Sequence, residues 1–201
     1  NAQAAHRYLT SGTAEKDELE AILDDIVRDD KRASEIILRL RGLLQNEKKV
    51  RQHFDLNIAV SEVVAILNRD FKEDNIHLVE EYAPDLLAVY AGRIEIQQVI
   101  LNLLVNAAKA LQEISKEKRT VYLRTRLSDN DVLVEIQDSG PGLSSEVQQT
   151  LFKQFVTDSK DGLGMGLIIC YRIIEAYGGR IWAENLETGG ARLSFSLPLE
   201  N

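Results

Sequence analysis

Cysteine occurs once in these 201 residues, so no disulfide can close within the chain. Histidine occurs three times, scattered at His6, His53 and His77. Such a sparse set does not make a transition-metal site, which needs several of these ligands converging. His53 and His77 are read as ordinary surface or strand residues. Cys170 sits inside an apolar helical pattern and is expected to be a small buried residue rather than a reactive thiol. Basic charge is also short: 24 Lys and Arg against 32 Asp and Glu leave a net charge of −8. A general nucleic-acid binder needs a basic face, so no nucleic-acid partner is expected, although a local basic pocket is still allowed. No apolar run approaches the ~20 residues that cross a bilayer, and no signal-peptide pattern opens the chain. Membrane contact is therefore not expected within this stretch. The remaining composition, 44% hydrophobic and 28% charged, suits one good core plus an appendage.

Against these absences stand two glycine clusters bracketing a phenylalanine pair. The first is Asp138-Ser-Gly140-Pro-Gly142; Phe152 and Phe155 follow; the second is Gly162-Leu-Gly164-Met-Gly166-Leu167. Glycine is favoured where backbone turns with positive φ or approaches a ligand closely. The second cluster runs into a helical pattern from Leu167, and a helix N-terminus behind glycines suits phosphate. A dinucleotide-binding fingerprint is excluded by context, because it needs a strand just before the glycines. Here the preceding Phe155–Asp161 stretch is polar and does not alternate.

Upstream lies a strongly periodic helix in which Asn102, Asn106 and Lys109 stand at i, i+4 and i+7, on one helix face. Asparagine is a mediocre helix former, so two of them among Leu, Val and Ala ask for a reason. A carboxamide oxygen is a hard neutral ligand suited to Mg²⁺, and Lys109 can meet phosphate as a point charge.

In order, spacing and identity, these residues resemble the N, G1, F and G2 boxes of the sensor histidine kinase ATP-binding domain, in the GHKL superfamily. The resemblance continues through Gly178-Gly-Arg-Ile-Trp182 and Gly189-Gly190-Ala to Pro198, about three-quarters of the chain. It implies ATP and Mg²⁺ as cofactors and a two-component phosphorelay as the setting. By resemblance Asp138 receives the adenine amino group, and Gly140 and Gly142 let the loop pass close to the base. Asn106 holds Mg²⁺, while Lys109, Asn102 and Lys160 contact phosphate. The amides of Gly162, Gly164, Gly166 and Leu167 cradle it, and Phe155 flanks a short lid, Val156 to Asp161. The bland alternatives are a turn-capping aspartate at Asp138 and core packing for Phe152 and Phe155. Trp182 is read as core or edge packing.

In chain order, residues 1–10 read as the last turns of a helix stopped by Ser11-Gly12. Thr13 is the expected N-cap of a long helix to Asn46, with apolar residues at Leu19, Ile22, Ile26, Ala33, Ile36, Leu40 and Leu43 in a 3-4 alternation interrupted at Asp29. At 1.5 Å per residue this helix would be about 50 Å long, and a symmetric dimer forming a four-helix bundle would cover its apolar stripe. Packing on the chain's own globular domain is the competing reading. The stretch from Asp30 resembles the second dimerisation helix of kinases similar to oxygen-sensing nitrogen-fixation regulators.

The expected organisation is a partial dimerisation hairpin over 1–47, a linker over 48–53, and an ATP-binding catalytic domain over 54–201. Helices are expected over Ile58–Phe71 and Arg93–Ser115. Strands are expected from Phe54, over Ile76–Tyr82, Leu86–Tyr90, Thr120–Leu127, Val132–Asp138, Arg180–Glu184 and Ala191–Leu197. The fold class is α+β, a two-layer α/β sandwich with a mixed sheet and helices on one face.

The chain opens at Asn1 without methionine and is taken for a fragment. By resemblance the phosphoacceptor histidine lies upstream of Asn1. His6 lacks the neighbouring acid, being followed by Arg7, and is not assigned that role. The fragment is thus expected to bind nucleotide without phosphorylating itself. The expected setting is cytoplasmic, in a full-length protein that could carry a membrane anchor. Its expected partners are a second copy through residues 1–47 and the receiver domain of a response regulator. Competing functions are another GHKL role, an ATPase or serine kinase, and a dimeric interaction module with a degenerate pocket.

Overall fold

The computed structural model describes residue 22 and residues 51–84, 88–128, 130–144 and 165–199. The chain divides between Lys48 and Lys49, and the second unit holds all the described residues but Ile22. The long helix expected from Thr13 to Asn46 therefore lies, apart from Ile22, outside the described residues.

Strand β1 (Gln52–Phe54) leads into helix α1 (Leu56–Glu73). Asp55 is the N-cap, its carboxylate accepting from the amides of Asn57 at 2.8 Å and Ile58 at 3.2 Å. These bonds satisfy two amides that lack helical partners. Because the cap sits at Asp55, the helix starts two residues before the expected Ile58. Leu56, Ala59, Val60, Val63, Val64, Leu67 and Phe71 form its buried stripe, the spacing of an amphipathic helix. Asn75, with φ 55°, ends the run in the left-handed region that asparagine tolerates.

Strand β2 (His77–Glu81) and β3 (Val89–Ala91) follow, then helix α2 (Arg93–Ala110). Strand β1 pairs antiparallel with β3. The first strand thus begins at Gln52, two residues earlier than expected. Only Phe54 of its three residues is buried, so its sequence shows no alternation and the backbone pairing makes it a strand.

Helix α2 stops at Ala110, short of the expected Ser115. A 3₁₀ turn over Leu111–Glu113 succeeds it, and Ile114 is extended at φ −116° and ψ 161°. The reason is a competing donor. The Arg119 guanidinium donates to the carbonyls of Ile114, Gln112 and Asp74 at 3.2, 3.3 and 2.9 Å. Carbonyls left without helical partners are thereby satisfied, and fully buried Leu111 pins the turn to the core.

Strands β4 (Thr120–Ser128) and β5 (Asp131–Asp138) form a hairpin; after helix α3 (Met165–Ala176) come β6 (Arg180–Asn185) and β7 (Ala191–Pro198). The five-stranded sheet has the order β2-β4-β5-β7-β6. Only the β2–β4 pair is parallel, so the sheet is mixed. Val121, Leu123, Val132, Val134, Ile136, Leu193, Phe195 and Leu197 are buried. Their alternation puts all of them on one face, the face against which α2 packs at β5 and α3 at β6 and β7. The opposite face is a charge ladder. Glu135 accepts from Arg126 at 2.8 Å and Arg192 at 3.3 Å, and Arg192 reaches Glu184 at 2.9 Å. The class is α+β, with helices layered on one face of a mixed sheet.

Candidate nucleotide site

Asp138 is the last residue of β5 and is 3% exposed. Its inward position follows from strand alternation: it continues the row Val132, Val134, Ile136, where another apolar residue would ordinarily stand. Oδ1 accepts from the amides of Gly140 at 2.8 Å and Ala191 at 3.3 Å. Burial pushes its pKa above the usual carboxylate value, opposed by those amide bonds. A buried carboxylate is costly to keep ionised even with backbone donors, and such perturbed groups cluster at functional sites.

The loop after Asp138 is tied on every side. Ser139 Oγ accepts from Thr120 N–H at 3.0 Å and donates to the Lys118 carbonyl at 2.6 Å. A Cβ added at Gly140 would stand 2.9 Å from Asp138 Oδ1 and 3.1 Å from the Ala110 carbonyl, so glycine lets the loop lie against the end of α2. Gly142 has φ 84°. Across from it, Gly190 has φ 86°, and a Cβ there would come within 2.0 Å of the Asp138 carbonyl oxygen. Both of these positions require glycine.

The second part of the site is the pairing of α2 with α3. Tyr177, just past α3, donates its hydroxyl to Glu95 at the start of α2. Cys170 meets the Val99 carbonyl at 3.9 Å and accepts from Asn102 Nδ2 at 3.6 Å. A Cβ on Gly166 would lie 3.9 Å from Asn102 Cγ. This register runs the helices antiparallel, so α3 begins beside Asn102. Its N-terminal end, the positive end of the helix dipole, faces the half of α2 that bears Asn106 and Lys109. Asn102, Asn106, Lys109, Gly166 and Leu167 are all half-buried or close to it. Cys170 is fully buried, and burial raises its thiol to about 12, as its apolar setting led one to expect.

Of the residues singled out in the sequence, the structure therefore brings Asn102 to Gly166, sets Gly140 between Asp138 and the end of α2, and sets Gly142 against Asn185 and Gly190. Phe152, Phe155, Lys160, Gly162, Gly164 and the expected lid over 156–161 lie outside the described residues. Trp182 is on the edge strand β6 and is 37% exposed. His53 lies in β1 with its ring 4.8 Å from that of Tyr90, and His77 is an exposed residue of β2. Sequence reasoning missed the Ala191 amide, the close approach of Gly190 and the side chain of Asn185. The Gly189-Gly190 pair was a visible signal; a backbone amide and one asparagine at the end of a strand gave none.

Residues 91–201 match the family model described as histidine kinase-, DNA gyrase B- and HSP90-like ATPase. The chain belongs to that family. Among curated relatives, the sensor histidine kinase TmoS of Ectopseudomonas mendocina is 32% identical over 99% of this chain and 21% of its own length. Sensor protein FixL of Bradyrhizobium diazoefficiens is 34% identical over 98% of this chain and 39% of its own length. The chain thus spans between about a fifth and two-fifths of these relatives. Among solved structures, the catalytic domain of histidine kinase ThkA superimposes with a TM-score of 0.66 at 31% identity, covering 74% of this chain and 95% of that one. The fold and the matching stretch are those of the sensor histidine kinase catalytic domain, an ATPase-type domain, and ATP is the ligand that family implies.

Proposed function

We propose that this chain is the ATP-binding kinase core of a two-component sensor histidine kinase. It would serve transfer of the ATP γ-phosphoryl group to a histidine and onward to a response-regulator aspartate. The observation that carries the reading is Asp138: a buried carboxylate whose Oδ1 is occupied by two backbone amides, so that Oδ2 is the acceptor for an exocyclic amine. An ionised carboxylate accepts and does not donate, which favours the amine of adenine over a carbonyl at the same place.

The residues present fit a magnesium nucleotide. Asn106 and Asn102 offer neutral oxygens on a half-buried helix face, Lys109 offers a cation one turn further, and α3 points its N-terminal end at them. Asn106 would hold Mg²⁺, and Lys109, Asn102 and Lys160 would contact phosphate together with the amides of Gly162, Gly164, Gly166 and Leu167. When bound, Mg²⁺ supplies neutralisation of the phosphate oxygens. The chain's own part is positioning: it fixes the base at Asp138 and directs the phosphates to the α2–α3 end.

The acceptor histidine would sit on a helix upstream of Asn1, and the 1–47 segment would dimerise as a helical hairpin. A response-regulator receiver domain would be the next acceptor; ThkA, the structural relative, is known in complex with the response regulator protein TrrA. The setting would be cytoplasmic, and the 201-residue chain would bind nucleotide without phosphorylating itself. Calorimetric titration of ATP with and without Mg²⁺ tests the site. Saturable, Mg-dependent binding lost in Asp138→Ala supports it; no binding at millimolar ATP by the folded chain refutes it.

A further inference from the structure

The loop that bears Gly140 and Gly142 is gripped by a side chain from the far end of the sheet. Asn185, the last residue of β6, accepts through Oδ1 from the Leu143 amide at 2.7 Å, and its Nδ2 donates to the Leu143 carbonyl at 2.7 Å. One carboxamide thus satisfies both backbone groups of one residue, the pairing a neighbouring strand would otherwise provide. The same Oδ1 would lie 3.0 Å from a Cβ on Gly142, whose φ is 84°, so Gly142 is a glycine that lets the loop close onto this clamp. Leu143 in turn packs its side chain against the hydrophobic core.

The clamp belongs to a larger support. The turn after Asn185 is closed by Leu186 N–H donating to the Gly190 carbonyl at 3.1 Å, and that carbonyl lies 3.3 Å from the same Gly142 Cβ position. The following residue, Ala191, supplies one of the two amides on Asp138 Oδ1. The β6–β7 connection therefore fixes both the carboxylate and the loop leaving it.

We propose that Asn185 is a positioning residue for the base of the bound nucleotide, acting through the Leu143 backbone to hold the 139–143 loop beside Asp138. This rests on the nucleotide reading given above. Free of the clamp, the loop would sample other conformations, and base binding would have to order it again at a cost in affinity. The phosphate end, built on α2 and α3, would be untouched.

The test compares wild type, Asn185→Ala and Asn185→Asp in three measurements on the full 201-residue chain: hydrogen exchange of the Leu143 amide by NMR, and calorimetric affinities for ADP and for inorganic tripolyphosphate, which has no base. In Asn185→Ala the Leu143 amide exchanges faster and ADP binds about tenfold more weakly, as loss of one or two net hydrogen bonds would produce, while tripolyphosphate binding is unchanged. Asn185→Asp keeps the acceptor for Leu143 N–H and recovers part of the ADP affinity. An Asn185→Ala chain that binds ADP as wild type does, or that loses ADP and tripolyphosphate in equal measure, overturns the proposal. Wild type that binds neither ligand overturns the nucleotide reading itself and the proposal with it, an outcome distinct from either of those.

Discussion

The two ends of the candidate site are built from different materials. At the Asp138 end, each bond has a backbone group on at least one side: the amides of Gly140 and Ala191 on the carboxylate, the Ser139 hydroxyl on the backbone of Thr120 and Lys118, the Asn185 carboxamide on the backbone of Leu143, and a left-handed glycine at each of 142 and 190. At the helix end, the groups stand on the facing surfaces of α2 and α3, joined beside Asn102 by a long amide-to-thiol contact of 3.6 Å to Cys170. Backbone held on both sides cannot adjust, whereas side chains on a helix face retain rotamers to choose from. Under the proposed nucleotide reading, the first end would take a rigid planar base and the second a flexible chain of phosphates with a metal ion.

The sharpest way to break this contrast is at Asp138. Asp138→Ala is expected to lower ATP affinity at least about 100-fold, some 3 kcal/mol, as removal of a charged buried acceptor does; calorimetry reads it directly. Gly190→Ala should act on the fold rather than the ligand alone. Its new Cβ would face the Asp138 carbonyl at 2.0 Å in a backbone with φ 86°, so a loss of about 2–3 kcal/mol in urea unfolding is expected from strain and overpacking.

At the other end, Asn106→Ala is expected to weaken Mg-ATP binding at least about tenfold, the low end of what losing even a group that only orients a metal ligand costs, while metal-free ADP binding changes little. Titration with and without Mg²⁺ separates the two. Gly166→Ala should be gentle on the fold, since among the described residues the nearest atom beyond its own helix is Asn102 Cγ at 3.9 Å and alanine favours a helix by up to about 1 kcal/mol over glycine. A thermal melt equal to or above wild type, paired with weaker tripolyphosphate binding, is the expected result. If Gly166→Ala destabilises the chain as much as Gly190→Ala is expected to, the contrast between the ends fails.

The smallest effect concerns pH. Because burial raises the Asp138 pKa in the folded state, the folded chain holds this proton more tightly than the unfolded one. Its contribution to stability is therefore present at acid pH and is lost as pH rises through the raised value. Asp138→Asn removes this dependence and is expected to melt at or slightly above the wild-type temperature at neutral pH, although it binds adenine nucleotide poorly. If Asp138 takes the base as proposed, ATP affinity measured by calorimetry is expected to run the other way in the wild type, falling as pH drops through the same window, because the amine needs the ionised acceptor.

Much of this architecture was legible in one sequence because its signals are local. The apolar spacing of Leu56 to Phe71 declares α1, the alternation from Val132 to Asp138 declares β5, and Asn102, Asn106 and Lys109 share a face by helical arithmetic alone. Boundaries were harder to read where a distant group decides them. Strand β1 exists because Gln52 meets Ala91, and α2 ends where Arg119 takes its carbonyls. Asn185 was invisible for the same reason: 42 residues separate it from Leu143, and nothing at the end of a strand announces that its amide will close on a glycine loop.

What the sequence determined by itself was the set of elements and the chemistry they could carry, since periodicity, capping and residue type act over one or a few turns of chain. Tertiary structure alone decided that Gly166 stands beside Asn102, that the β6–β7 turn buttresses Asp138, and that Asn185 grips Leu143. Those contacts arise when the sheet pairs in the order β2-β4-β5-β7-β6 and two helices lie antiparallel across its apolar face. Hydrogen bonds and steric limits between segments far apart in sequence come into being only with that packing.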